Sequence, residues 1–146
     1  TIKLMKPHYT YLEHTADVLF VAEAPTAGEL FEQCALAVEQ TMVEVKKVQP
    51  KKKVVIERED KSIEYLLFDF LGDLIIYKDA EQLIFSKFQA KVEEKKGKFH
   101  LKCIASGEKL DVKKHKAKVD IKAITMHMFE VKKTKEGWKA QVLVDI

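Results

Sequence analysis

Apolar positions fall into two kinds of pattern along this chain, one with helical spacing and one alternating. Residues 17–24 form a run rich in Val, Leu and Phe that reads as a strand. Pro25-Thr26-Ala27-Gly28-Glu29 follows and carries a capping box: the Thr26 hydroxyl accepts from an early helix N–H and the Glu29 carboxylate reaches back to the cap N–H. Leu30, Cys34, Ala37, Val38 and Met42 then recur at helical spacing, which predicts a helix ending near Val43 with one buried face. Beyond a lysine-rich stretch over 46–53, Val54, Ile56 and Arg58 share one face of a predicted strand. A second helix is predicted over about 62–78. Apolar side chains from Ile63 to Ile75 cover most of its circumference, and only Glu64, Asp69 and Asp73 mark a polar edge. A helix apolar nearly all round is buried, so this one is expected to be the spine of the core.

The rest of the chain reads as strand. Segments 83–94 and 98–105 flank Glu94-Lys95-Lys96-Gly97. In the second, Phe99, Leu101, Cys103 and Ala105 face inward while His100 and Lys102 face out. A loop over 106–116 leads into a long strand-like stretch over 117–133. Thr134-Lys135-Glu136-Gly137 turns it into a final strand over 138–146, with Trp138, Ala140, Val142 and Val144 on one face. Strands grouped with two helices, rather than alternating with them, predict an α+β fold: one domain over 1–146, a mainly antiparallel β-sheet and two core-packed helices.

Composition narrows the function. Of the 146 residues, 47% are hydrophobic and 34% charged, which is globular with a charge-laced surface. The net charge of +3 is too small to announce a nucleic-acid-binding domain. No apolar run approaches the roughly 20 residues of a membrane span, and the first fifteen residues lack the apolar core of a secretory leader. Cys34 and Cys103 fall on apolar faces and are expected to be buried, reduced thiols. A cytoplasmic, soluble protein without membrane contact is the expectation.

Candidate chemistry concentrates at two places. Asp145 and the α-carboxylate of Ile146 put two anionic groups together at the end of a strand, a costly arrangement unless a cation or several donors neutralise it. Hard divalent cations prefer such oxygen ligands, and Ca²⁺ best tolerates irregular geometry; a solvated acidic terminus is the plainer alternative. Hairpin arithmetic says what surrounds this end. With Lys133 opposite Trp138, Phe129 lies opposite Val142, Met126 opposite Asp145 and Thr125 opposite Ile146. Lys122, Thr125 and His127 are therefore expected around it. The other place is His14-Thr15-Ala16-Asp17, a weak motif by itself, in which Asp17 can equally cap a turn. Asp69 and Asp73 read as a polar helix edge. The lysines over 46–53 read as a solvated loop and strand edge, with weak RNA or partner contact as the sharper alternative. No phosphate-binding glycine loop, zinc spacing or nucleophile elbow is present.

Taken in order, several short motifs resemble the archease family. They are His14-Thr15-Ala16-Asp17, Gly28-Glu29-Leu30-Phe31, the segment from Leu66 to Leu74, Gly107-Glu108, Lys114-His115, the segment from Ile121 to His127, Gly137-Trp138 and the terminal Val144-Asp145-Ile146. The likeness spans about 11–146. Departures touch flanking positions: Leu19 stands where the family usually has Gly, Met126 where Tyr is common, and Asp120 where Glu is usual. The resemblance implies a non-enzymatic accessory protein of the RtcB-type RNA-splicing ligase in tRNA splicing. Such a protein promotes ligase guanylylation and multiple turnover and can broaden nucleotide use. It implies a divalent metal, Ca²⁺ by donor chemistry, on Asp17, Asp145 and the Ile146 carboxylate. His14, Lys122, Thr125 and His127 would then stand behind these ligands and hold their carboxylates by hydrogen bonds, and RNA would be contacted only indirectly or weakly. Two alternatives remain: a metal-dependent phosphate-ester hydrolase acting through His14, Asp17 and Asp145, and a general RNA-binding module using the lysines over 46–53 and 113–118.

Overall fold

A computed structural model describes residues 5–14 and 16–146. The elements in chain order are β1 (His8–Leu12), β2 (Val18–Ala24), α1 (Ala27–Met42), a short 3-10 turn (Val45–Lys47), β3 (Lys52–Asp60), α2 (Ile63–Glu81), β4 (Leu83–Lys95), β5 (Lys98–Lys109), β6 (Ala123–Lys133) and β7 (Trp138–Asp145). The strands make two antiparallel sheets, ordered β1-β2-β7-β6 and β3-β5-β4. The α+β reading is correct.

Both sheets turn one face to a single core that contains both helices. Phe20, Ala22, Ala140, Val142, Val144 and Ile124 come from the first sheet; Ile56, Leu101, Cys103, Ala105 and Phe88 come from the second. Between them lie Leu30, Phe31 and Val38 of α1 and Leu67, Phe70, Leu71 and Leu74 of α2, all fully buried. Phe31 and Phe70 stack with centroids 5.9 Å apart and tie the helices together. Cys34 and Cys103 are buried free thiols, as expected, and burial pushes both pKa values up, that of Cys103 to about 12.

Local chemistry sets the helix ends. The Glu29 amide donates to the Thr26 hydroxyl at 3.2 Å, but the hydroxyl in turn donates to the Glu29 carboxylate at 2.9 Å, so the carboxylate reaches the cap side chain rather than its N–H. Ser62 caps α2 by accepting from the Tyr65 amide at 3.2 Å. Along α1, Glu32 and Glu39 reach sideways to the free edge of β4: Glu32 accepts the Ala90 amide at 2.8 Å and Glu39 the Phe85 amide at 3.0 Å. The polar edge of α2 is also engaged. Arg58, on the inward-facing row of β3, binds both Asp73 oxygens at 2.6 and 2.8 Å and lies 3.9 Å from Asp69.

Four expectations need correction. A strand, β1, precedes the first predicted one. It is held by Tyr11, whose hydroxyl donates to the Ala37 carbonyl at 2.8 Å, a tie to a helix distant in sequence. The predicted loop over 106–116 begins later, because β5 continues to Lys109. Strand pairing there depends on Gly107, where a Cβ would stand 1.8 Å from the Ile84 carbonyl oxygen. The long strand over 117–133 is shorter, since residues 117–122 are irregular. Their amides find partners outside a sheet, Lys118 on the Met42 carbonyl and Lys122 on the Asp145 carbonyl, both at 2.8 Å.

The fourth correction is the hairpin register. It starts as expected, with Lys133 opposite Trp138 and Glu130 opposite Gln141, but resumes with Thr125 opposite Leu143 and Ala123 opposite Asp145. Residues 126–129 therefore bulge out where β7 spends only Val142. Met128 takes φ 60°, a left-handed conformation, and the Gln141 side-chain amide donates to its carbonyl at 2.9 Å. Met126 is not opposite Asp145, nor Thr125 opposite Ile146.

Candidate metal centre at the end of the first sheet

Strand alternation in β2 and β7 determines what faces outward at this end. Val18 pairs with Val144 as the last rung between the two strands. One residue beyond that rung, Asp17 lies in the bend that leads into β2 and Asp145 is the last residue of β7, so the two acids follow the same end of the paired strands. Asp145 is also the partner of Ala123 in β6. The two aspartates come from opposite ends of the sequence, and both are partly buried. Ala16 precedes them at φ 71°, a conformation that turns the chain sharply into β2.

Ile146 is partly buried and its side chain packs against the core, which fixes the main chain at this position beside the aspartates. Lys122 is exposed, and its amide donates to the Asp145 carbonyl at 2.8 Å. Thr125 stands one outward position from the Asp145–Ala123 rung. Its hydroxyl points to the His127 carbonyl at 3.4 Å, within the bulge. His127 is exposed in that bulge and farther from the rung than the register count placed it. His14 is exposed, and Thr15 of the same motif lies outside the described residues.

Two carboxylates at one end of a sheet would suit a hard cation if it drew them together. Among the described residues, neither aspartate takes part in an ion pair, and no group of three or more His, Cys, Asp or Glu side chains is gathered to hold a metal. A cation between Asp17 and Asp145 would need further oxygens, which is what an α-carboxylate at Ile146 would add.

A second constellation was missed as such in the sequence, although Gly107-Glu108 and Lys114-His115 flagged its parts. The Glu108 carboxylate accepts from the Gln49 amide at 2.8 Å, from Lys114 at 2.9 and 3.0 Å and from His115 Nε2 at 2.9 Å. These donors hold its pKa down at about 2, the Gln49 amide contributing most. His115 is fully buried. Its Nδ1 accepts the Asp111 amide at 2.9 Å, so its proton sits on Nε2 and is donated to Glu108. Every polar atom in this cluster is spoken for, which makes it a clamp on the loop after β5. Glu39 differs again: it is fully buried, one carboxylate oxygen has no partner, and burial raises its pKa to about 8. No helix among the described residues is long and apolar enough to cross a membrane.

Comparison with known proteins agrees with this architecture. Residues 9–146 match the Archease protein family (MTH1598/TM1083). The chain is 40% identical over 141 residues to Protein archease of Methanosarcina mazei, covering 94% of this chain and 95% of that one. It is 40% identical over 139 residues to Protein archease of Pyrococcus furiosus, covering 94% and 98%. The solution structure of Methanobacterium thermoautotrophicum protein 1598 superposes with a TM-score of 0.84 at 32% identity, covering 94% of this chain and 98% of that one.

Proposed function

The chain belongs to the archease family, and we propose that it is a non-enzymatic activator of an RtcB-type RNA-splicing ligase, working in the cytoplasm in tRNA splicing. In this reading it promotes guanylylation of the ligase, permits multiple turnover and can broaden nucleotide use. RNA is contacted only indirectly or weakly. The observation that supports the reading is that Asp17 and Asp145 both stand one residue beyond the last β2–β7 rung, Val18–Val144, at one end of the first sheet. Three of the motifs that suggested the family contribute to this end: those of Asp17, of Ile121 to His127, and of Val144-Asp145-Ile146.

Asp17, Asp145 and the Ile146 α-carboxylate would hold a divalent cation, with Ca²⁺ suited to the oxygen donors and the irregular strand-end geometry. Such a cation supplies positive charge that phosphate oxygens can share. The chain's own part is to hold two carboxylates together. β2 and β7 fix their spacing, Ile146 anchors the strand end in the core, and the Lys122 amide fixes the Asp145 main chain. Thr125 stands beside the rung, and His14, Lys122 and His127 are exposed around it, where they can meet a partner.

A multiple-turnover ligation assay with the cognate ligase, GTP and divalent metal tests this. The protein should raise turnover, and Asp17→Ala and Asp145→Ala should keep the fold but lose most of the stimulation. Normal stimulation by both variants would sink the reading. Phosphatase or nuclease activity of the purified protein alone, lost in Asp17→Ala, would favour a hydrolase acting through His14, Asp17 and Asp145 instead.

A further inference from the structure

The outer strands of the two sheets are β1, β6, β4 and β3, and they are not equally open. β1 is only five residues long. β6 is interrupted by its bulge. β4 is covered by α1, whose Glu32 and Glu39 take the Ala90 and Phe85 amides. β3 differs from all three. It runs nine residues, Lys52–Asp60, without a bulge, a glycine or a proline, and pairs with β5 on one side. Among the described residues, no hydrogen bond reaches the other side of its main chain. Two large apolar side chains stand in solvent along that open side. Val55, on the outer face of the strand, is 53% exposed, and Ile76 of α2, in the groove between that helix and the strand, is 62% exposed.

We infer that β3 is the interface of a symmetric dimer, in which the β3 strands of two copies pair antiparallel and join their sheets into one. An open row of amides and carbonyls is matched by another extended main chain, and the side chains of β3 say which one. The strand begins with Lys52 and Lys53, continues through Val54-Val55-Ile56 and ends with Glu57, Glu59 and Asp60. Arg58 interrupts the acidic end, but both Asp73 oxygens hold it, so its charge is matched inside the chain. Such a strand is complementary to itself when reversed. With Ile56 on the two-fold axis, Lys53 faces Glu59 of the other copy and Lys52 faces Asp60, and symmetry repeats both pairs. Opposite charges directly across a strand pair stabilise it, and like charges oppose it. Registers that keep inner faces together differ by steps of two. One step one way sets Lys52 against Arg58, and one step the other way sets Lys53 against Lys61, so charge selects a single register. In that register Val55 lies diagonally across from its symmetry mate, within contact range. Two-fold pairing closes on itself and stops at two copies. Strand pairing without a broad apolar core belongs with small, transient interfaces, for which a Kd of about 10–100 μM is expected. Neither the ligase reading nor the metal centre enters this inference, since β3 belongs to the other sheet.

Sedimentation equilibrium of the full chain, from about 1 μM to about 1 mM, spans that Kd. Wild type should pass from one to two chain masses across this range. Lys53→Glu and Glu59→Lys change exposed side chains and should leave the circular dichroism spectrum as it is. Each sets like charges against each other at both ends of the strand pair, and each should raise the Kd about tenfold or more. Mixed in equal amounts, the two variants regain opposite charges in a heterodimer and should associate about as tightly as wild type. The double variant Lys53→Glu/Glu59→Lys should dimerise by itself. Hydrogen exchange at the β3 amides of wild type should slow as protein concentration rises. A wild type that stays monomeric throughout overturns the assignment, and so do single variants that dimerise like wild type. Protection of β3 that appears only when the ligase is added would give this edge to a strand of that protein instead, and would also overturn it.

Discussion

Glu108 and the Asp17–Asp145 pair are the two best-defined acidic centres of this fold, and they are built in opposite ways. Glu108 is one carboxylate surrounded by three donor groups from two segments: the Gln49 amide, and Lys114 with the buried His115 of one loop. Asp17 and Asp145 are two carboxylates at one end of the first sheet, without an ion-pair partner among the described residues. The first arrangement satisfies its charge inside the fold and stabilises it. The second leaves charge unsatisfied, and evolution tolerates that where a cation or a partner completes the site. Glu39 shows a third solution, a buried carboxyl kept protonated by desolvation. A carboxylate with internal donors is architecture; under the function proposed above, the two aspartates are completed from outside the fold.

The largest expected effect comes from breaking the matched centre. His115→Ala leaves the Asp111 amide and Glu108 short of a partner and opens a cavity, which should cost about 3 kcal/mol and lower Tm by several degrees in thermal denaturation. Acid titration sharpens the same point. The Glu108 pKa falls from 4.5 to about 2 on folding, so its contribution is complete above pH 4.5 and is lost as pH falls toward 2. Glu108→Gln should flatten that acid limb.

Glu39 should show the opposite sign. Its pKa rises from 4.5 to about 8, so the folded state holds a proton that the unfolded chain releases. The associated stability is complete below pH 4.5, declines as pH rises and is gone above about pH 8. Glu39→Gln keeps an acceptor for the Phe85 amide and should raise stability at pH 9 by about 1 kcal/mol or more, read by urea denaturation at pH 6 and pH 9. At the unmatched aspartates, Asp145→Asn removes one of the two negative charges at this end of the sheet. In metal-free buffer it should leave stability equal or raise it by about 0.2–1 kcal/mol. Added Ca²⁺ should raise the Tm of wild type and not that of the variant. The smallest effect belongs to the outer face of the second sheet, where Glu59 lies 3.2 Å from His100 and 3.8 Å from Lys98 in open solvent. Glu59→Gln should change stability by less than about 0.5 kcal/mol and leave ligase stimulation intact. A larger loss there would erase the contrast between the two acidic centres and the general surface.

Much of this was legible from spacing. The apolar wrap of residues 63–75 announced a central helix, and Thr26-Ala27-Gly28-Glu29 placed the start of α1 correctly. Alternation over 98–105 gave the inward face of β5. What was illegible depended on contacts between distant segments. β1 is short and largely exposed, and Tyr11 is anchored to a helix carbonyl that no local pattern reveals. Residues 117–122 look like strand by composition, but their amides are taken by Met42 and Asp145. The β6 bulge defeated register counting because Ile124-Thr125-Met126-His127-Met128 contains no glycine to mark a left-handed residue, yet Met128 adopts one. The consequence was specific: Thr125 and His127 were drawn too close to the end of the chain. Only family likeness linked Asp17 with Asp145, since residues so far apart in sequence share no periodicity.

The same bulge has a bearing on colloidal behaviour. β6 is an outer strand of its sheet, and an uninterrupted outer strand with apolar side chains is a template on which another copy can add itself, a route to fibres. Residues 126–129 break the row of outward amides and carbonyls midway and twist it out of line. The protein can therefore expose Met126 and Met128 to solvent without offering a continuous strand to its own kind. Straightening β6 by deleting three of these four residues would give a flatter sheet and, at high concentration, a chain prone to self-assembly.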